Sequence, residues 1–212
     1  MRTSDDALFT PTEAAVLTRL SLKAVNNAID KNLVPTTLSG SATDAIRLLD
    51  GRALLALALE QRLASRFFPE LRRLVFDALA ASSRKVLSLD DGLVKIDLRE
   101  PRRELAASLR ALRRARSLAA SDPEILGGEP AFRGTRVPVH LIATLVEQGS
   151  TEAEILKAYP RLTPEMIRLA PAYAQAYPLR GRPRKQPWHA RRGDLRNLRS
   201  VDWLAESIRL PK

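Results

Sequence analysis

Residues 127–139, Gly-Gly-Glu-Pro-Ala-Phe-Arg-Gly-Thr-Arg-Val-Pro-Val, leave the backbone less freedom than any other part of this chain. Gly128 and Gly134 allow turns that side chains resist, while Pro130 and Pro138 fix their own dihedrals and extend the residue before them. A short extended piece from Ala131 to Val137 is therefore expected, and helix signals follow it at once. Val139 to Gln148 predicts a helix closed by Gly149. Thr151 and Glu154 form a capping box for a second helix reaching Tyr159, and Thr163-Pro164-Glu165 opens a third. Three short helices on brief connections make a compact bundle. Its expected core is Val139, Ile142, Leu145, Ile155, Leu156, Tyr159, Leu162 and Ile167. Such a unit points to a small binding module and away from an enzyme.

Catalytic patterns are missing on the same reading. His140 and His189 have no Glu-x-x-His partner, no Ser-His-Asp order is visible, and Gly127-Gly128 lacks the strand-to-helix spacing of a nucleotide loop. No catalytic residue, metal or cofactor is expected. The absence of cysteine excludes disulfides and thiolate metal sites. No apolar leader is visible, and the longest apolar run, Ala53 to Leu59, is far shorter than a membrane span. A cytoplasmic protein without membrane contact is expected.

Charge divides the 212 residues into three parts. Residues 1–121 carry 20 basic and 14 acidic side chains, 122–178 carry 5 and 7, and 179–212 carry 10 and 3. The net +11 thus brackets a slightly acidic unit with basic regions, a distribution that suits DNA, RNA or an acidic protein. Surface solubility is the alternative, but a tail of +7 in 34 residues exceeds what solubility requires.

The first part reads as helical. Thr10-Pro11-Thr12-Glu13 supplies an N-cap, a first-turn proline and a capping glutamate for a helix running to about Arg19. Ser21 caps the next helix, with Val25, Ala28 and Ile29 inward and Lys23, Asn26, Asn27 and Lys31 outward. Two short helices on a tight turn have the geometry of a helix-turn-helix, where lysine and asparagine on the second helix suit guanine, phosphate and adenine. A plain helical hairpin is the alternative. A polar linker at 36–41 is expected, then a long helix from Thr43 to about Arg66, weakened by Gly51, and another from Pro69 to Ala80 burying Leu71, Leu74, Val75 and Leu79. Lys85–Leu89 and Leu93–Leu98 around Asp90-Asp91-Gly92 predict a β-hairpin, either a wing beside the DNA-binding helix or a surface for sheet pairing. The two aspartates are turn formers before they are metal ligands. From Arg102 to about Ala119 a helix sets Leu105, Leu109 and Leu112 against Arg102, Arg103, Arg110, Arg113, Arg114 and Arg116. That basic side binds phosphate or acidic protein, or is a row of arginines lying over a core stripe.

Gly127 to Val139, with Gly149-Ser150-Thr151, Ile155-Leu156, Tyr159-Pro160-Arg161-Leu162-Thr163 and Ile167, resembles the DUF433 family of small helical domains, many of them antitoxins paired with PIN-like nuclease toxins. The longer layout resembles the VapB45-type antitoxins, in which a MerR-like or related helix-turn-helix precedes such a domain. The resemblance implies promoter binding, dimerisation and toxin neutralisation. It implies a mainly α protein: a helix-turn-helix-like region with a small β-hairpin over 1–121, a three-helix DUF433-like domain over 122–178, and an extended basic tail over 179–212. Pro171 departs from it, because a proline there is expected to break or kink the third helix.

In the tail, Arg180-Gly181-Arg182-Pro183-Arg184-Lys185 resembles an AT-hook, whose arginines lie in the narrow minor groove. The candidate DNA contacts are therefore Lys23, Asn26, Asn27, Lys31, Arg133, Arg136, Arg180, Arg182, Arg184 and Lys185. Beyond the hook, Trp188, Trp203, Leu204 and Ile208 are apolar anchors in a polar segment too short for its own core. Folding onto a toxin is one use for them; docking back on their own domain is another. Arg191, Arg192, Arg196 and Arg199 are candidates to compete for the acidic active site of a metal-dependent nuclease, or to contact nucleic-acid phosphate. An antitoxin that represses its own operon, working as a homodimer, is the leading expectation. The alternatives are a stand-alone DNA-binding regulator and an adaptor for an acidic protein.

Overall fold

The computed structural model describes residues 7–39, 46–64, 66–81, 84–124 and 126–179. It is mainly helical, with three small two-stranded antiparallel sheets among the described residues. Helices α1 (Pro11–Thr18) and α2 (Leu22–Asp30) form where their caps dictate. Thr10 and Glu13 make the reciprocal box, and the Ser21 hydroxyl accepts from the Ala24 N–H at 3.1 Å. Arg19, left-handed at φ 58°, ends α1 and turns the chain within three residues into α2.

The expected linker and the front of the expected long helix instead pair with each other. β1 (Thr37–Ser39) runs antiparallel to β2 (Ile46–Leu48), with Leu38 opposite Arg47, and Phe9 bridges Leu49 beside them. The next helix, α3 (Gly51–Leu63), starts late because Asp50 caps it, its carboxylate accepting from the Ala53 N–H at 2.7 Å. Gly51 therefore stands in the first turn and not mid-helix, where its propensity penalty would be greatest. α3 is the most enclosed helix of the first core: Leu54, Leu57 and Leu59 are each at most 2% exposed, and burying each such side chain contributes about 1.5–3 kcal/mol.

α4 (Pro69–Ala81) buries Val75, Phe76 and Leu79, but Leu74 faces outward and is 56% exposed, contrary to the expected stripe. β3 (Val86–Leu89) and β4 (Val94–Asp97) form the expected hairpin, with Leu87 opposite Ile96; Asp90, Asp91 and Gly92 all take positive φ. It packs against α4, so it is not the hairpin neighbouring α2; that position belongs to β1–β2.

α5 (Arg99–Leu118) begins earlier than expected, since Pro101 in a first turn sacrifices no helical hydrogen bond. This helix joins two cores. Leu112 belongs to the cluster that contains α1 to α4, while Ala115 and Ala119 belong to a second cluster with Phe132, Val139, Ile142, Ile155, Leu162, Ile167 and Tyr173. Of the expected core of the bundle, Leu145, Leu156 and Tyr159 are only partly buried around it.

The glycine-proline segment closes more tightly than an extended strand. β5 (Ala119–Ala120) pairs with β6 (Ala131–Phe132) alone, and residues 133–136 turn back so that the Phe132 N–H donates to the Val137 carbonyl at 3.0 Å. α6 (Val139–Glu147) ends with Gly149 at φ 88° and Ser150 donating to the Leu145 carbonyl at 3.0 Å, a Schellman closure. α7 (Glu152–Ala158) carries the Thr151–Glu154 capping box. α8 (Pro164–Ala176) runs on through Pro171 without interruption. Proline forfeits one hydrogen bond there, but Ile167, Ala170, Tyr173 and Ala176 on either side of it are all buried, and that packing holds the helix together.

Candidate nucleic-acid and partner surfaces

On α2 the buried Val25, Ala28 and Ile29 fix the helix against α1, leaving Lys23 and Asn27 exposed and Asn26 half-buried. Lys31 stands one residue past the helix end, as its cap, so it flanks the outward row and does not extend it. The neighbouring hairpin is tied to this helix. Arg47 on β2 donates through Nη1 to the Asp30 carboxylate at 2.6 Å, setting the β1–β2 hairpin beside the C-terminal end of α2. Sequence reasoning missed Arg47 and the hairpin, whose only local signal was the alternation Ile46-Arg47-Leu48 after a threonine-rich stretch.

Arg133 and Arg136 are exposed in the turn of the glycine-proline segment. Arg133 has a structural duty there: its Nε donates to the Ser117 carbonyl and its backbone N–H to the Leu118 carbonyl, both at 2.8 Å, so the turn closes the C-terminal end of α5. The structure thus holds the α2 side chains on α1 and Arg133 on α5, as two separate groups. Arg180, Arg182, Arg184, Lys185, Trp188, Arg191, Arg192, Arg196, Arg199, Trp203, Leu204 and Ile208 lie outside the described residues.

The C-terminal end of α8 returns to the start of α1. The Thr12 hydroxyl donates to the Ala176 carbonyl at 2.8 Å, and the Tyr177 hydroxyl donates to Glu13 Oε1 at 2.8 Å, while Glu13 Oε2 accepts from the Thr10 N–H. Burial, then the Glu13 carboxylate, push the Tyr177 hydroxyl well above its ordinary range, and burial raises that of Tyr173. Arg116 lies 5.9 Å from the centre of the Tyr177 ring. His140 Nε2 lies 2.9 Å from the Tyr177 carbonyl, which can only accept, so this nitrogen carries the proton. Its other ring nitrogen, Nδ1, is buried with no hydrogen-bond partner among the described residues.

Ion pairs fasten the outer helices. Arg114 on α5 grips Glu165 at the start of α8 through Nε at 2.9 Å and Nη2 at 2.7 Å, and this pairing holds the Glu165 carboxyl below its ordinary range. Arg99 in the same way holds the Asp97 carboxyl down at about 2. Arg72 pairs with Glu60 between α4 and α3. Among the described residues no group of three or more His, Asp or Glu side chains is placed to hold a metal, and no helix is long and apolar enough to cross a membrane.

Residues 120–174 match the family described as a protein of unknown function, DUF433. An uncharacterized protein of Sinorhizobium fredii, y4eO, is 36% identical over 189 residues, covering 81% of this chain and 82% of its own length. A crystal structure of Rv2018 from Mycobacterium tuberculosis aligns over 81% of this chain and 99% of that one, at 13% identity and a TM-score of 0.29.

Proposed function

The chain belongs to the DUF433 family, and on that premise we propose that it is an antitoxin: it binds and neutralises a PIN-like ribonuclease toxin through its C-terminal region, and represses its own operon by binding promoter DNA. The observation that carries this reading is the join between Asp30 and Arg47, which places a β-hairpin beside a short two-helix unit whose second helix presents Lys23 and Asn27. A helix of this kind enters the major groove, and a hairpin at its side meets the adjacent backbone. Arg136 and the basic run from Arg180 to Lys185 add phosphate and minor-groove contacts. Trp188, Trp203, Leu204 and Ile208 anchor the toxin, with Arg191, Arg192, Arg196 and Arg199 on its acidic site. The protein acts as a cytoplasmic homodimer on a two-fold symmetric site and has no catalysis of its own.

Affinity copurification tests the reading, comparing the full chain with a version ending at Leu179. A small nuclease that is held and inhibited by the full chain alone is the expected result. Promoter binding with no stoichiometric protein favours the stand-alone regulator, a reading that the helix-turn-helix geometry and the +11 charge support by themselves.

A further inference from the structure

The arginines of α5 have no part in the function just proposed. The helix divides sharply: Pro101, Leu112 and Ala115 are buried, whereas Arg103, Arg110, Arg113 and Arg114 are exposed, with the small Ala106 and Ala107 between them. Toward either end this row is matched by acid. Arg103 reaches Glu100 at 3.8 Å, and Arg114 grips Glu165. In the middle, Arg110 and Arg113 have neither an ion pair nor a hydrogen bond within the described residues. Their neighbours three and four positions away include one another, Arg114 and Arg116 but no carboxylate, and like charges at these spacings repel. Among the described residues nothing offsets the charge of the two exposed guanidinium groups, and a polyanion laid along them would relieve their mutual repulsion. Arg133, fastened to the Ser117 carbonyl, adds a cation one turn further along the same face.

We propose that Arg110 and Arg113, continued by Arg133, form a track for the sugar-phosphate backbone of double-stranded DNA, separate from the base-reading side of α2. The planar guanidinium fork suits phosphate oxygens, and the alanines let a backbone come close. A protein partner would need an apolar anchor, and none of the exposed large hydrophobic side chains lies on α5. The track rests on the DNA-binding reading above and assigns its phosphate contacts to the helix that joins the two cores.

The test uses the full chain and the double variant Arg110→Gln and Arg113→Gln, titrated with a duplex of its own promoter and an unrelated duplex of equal length between about 50 and 200 mM salt. Neither arginine has a partner among the described residues, so the melting temperature should hold. Two lost phosphate contacts lower the slope of log affinity against log salt by about 1.8, so the variant loses about 12-fold less affinity than wild type across that range, on both duplexes alike. An unchanged slope overturns the proposal. So does a loss confined to the promoter duplex, which would make these arginines base readers, or unchanged DNA binding with loss of a copurifying protein, which would make the face an acidic-protein site. If wild type does not prefer its promoter over the unrelated duplex, the repressor reading fails, while the slope comparison still decides the track.

Discussion

The Tyr177 hydroxyl donates to Glu13 Oε1 at 2.8 Å across 164 residues of sequence. The same carboxylate closes the N-terminal box of α1 through its other oxygen, so one side chain both starts α1 and holds the end of α8 against it. Tyr177→Phe keeps the tilted ring contact with Tyr173, centroids 4.9 Å apart, and removes only the hydroxyl. The expected loss is about 1.5–3 kcal/mol, the value of a hydrogen bond to a charged group, read from urea denaturation. A raised tyrosine pKa stabilises the fold while the hydroxyl stays neutral, so this contribution is complete below pH 10 and is lost as pH rises above it. The gap between wild type and variant should narrow from pH 10 upward; a constant gap would remove the hydroxyl from the account.

Arg114 and Glu165 give the opposite sign. Pairing lowers the Glu165 carboxyl below its ordinary 4.5, so the stabilisation is present above that value and lost as pH falls through the folded-state pKa. Arg114→Ala should lower the urea midpoint at pH 6 and have progressively less effect as pH drops below 4.5. Because both side chains are well exposed, the effect should also shrink in molar salt.

Pro171 lies inside an unbroken helix. Pro171→Ala supplies the missing N–H donor and removes a poor helix former, and should stabilise the protein by about 1–3 kcal/mol. Thermal unfolding checks this, and a lower melting temperature would mean that the ring fills space alanine leaves empty.

Arg47→Ala separates DNA binding from folding. Its pair with Asp30 is exposed and contributes under about 1 kcal/mol, so the melting temperature should scarcely move. Promoter affinity should fall several-fold, measured by fluorescence anisotropy, because the hairpin loses its fixed position beside α2. Equal affinity for variant and wild type would place the hairpin away from DNA.

Local chemistry was legible in the sequence, and long-range pairing was not. Thr10 with Glu13, Thr151 with Glu154, and Thr163 before Pro164 start helices where their spacing requires, since each cap is closed within four residues. The strands around Leu38 and Arg47 are three residues each, too short for the alternation at Ile46-Arg47-Leu48 to stand out, and they exist because each pairs with the other and Phe9 bridges Leu49 from forty positions away. Asp50 was not read as a cap, because the Gly51 after it read as a flaw inside a longer helix that began at Thr43. At the candidate site Lys23 and Asn27 were legible as the outward row of an amphipathic helix. Arg47 was not, because its importance comes from Asp30 lying next to it in space, and neither was the contact of Tyr177 with Glu13, which leaves no periodic trace.

Because α8 ends against the beginning of α1, Leu179 follows Tyr177 by two residues and so lies close along the chain to the α1–α2 pair. Any group attached at Leu179 would be held near α1 and α2 by a tether of a few residues, which raises its effective concentration there. The first and last described helices are in this way direct neighbours, although they belong to opposite ends of the described chain.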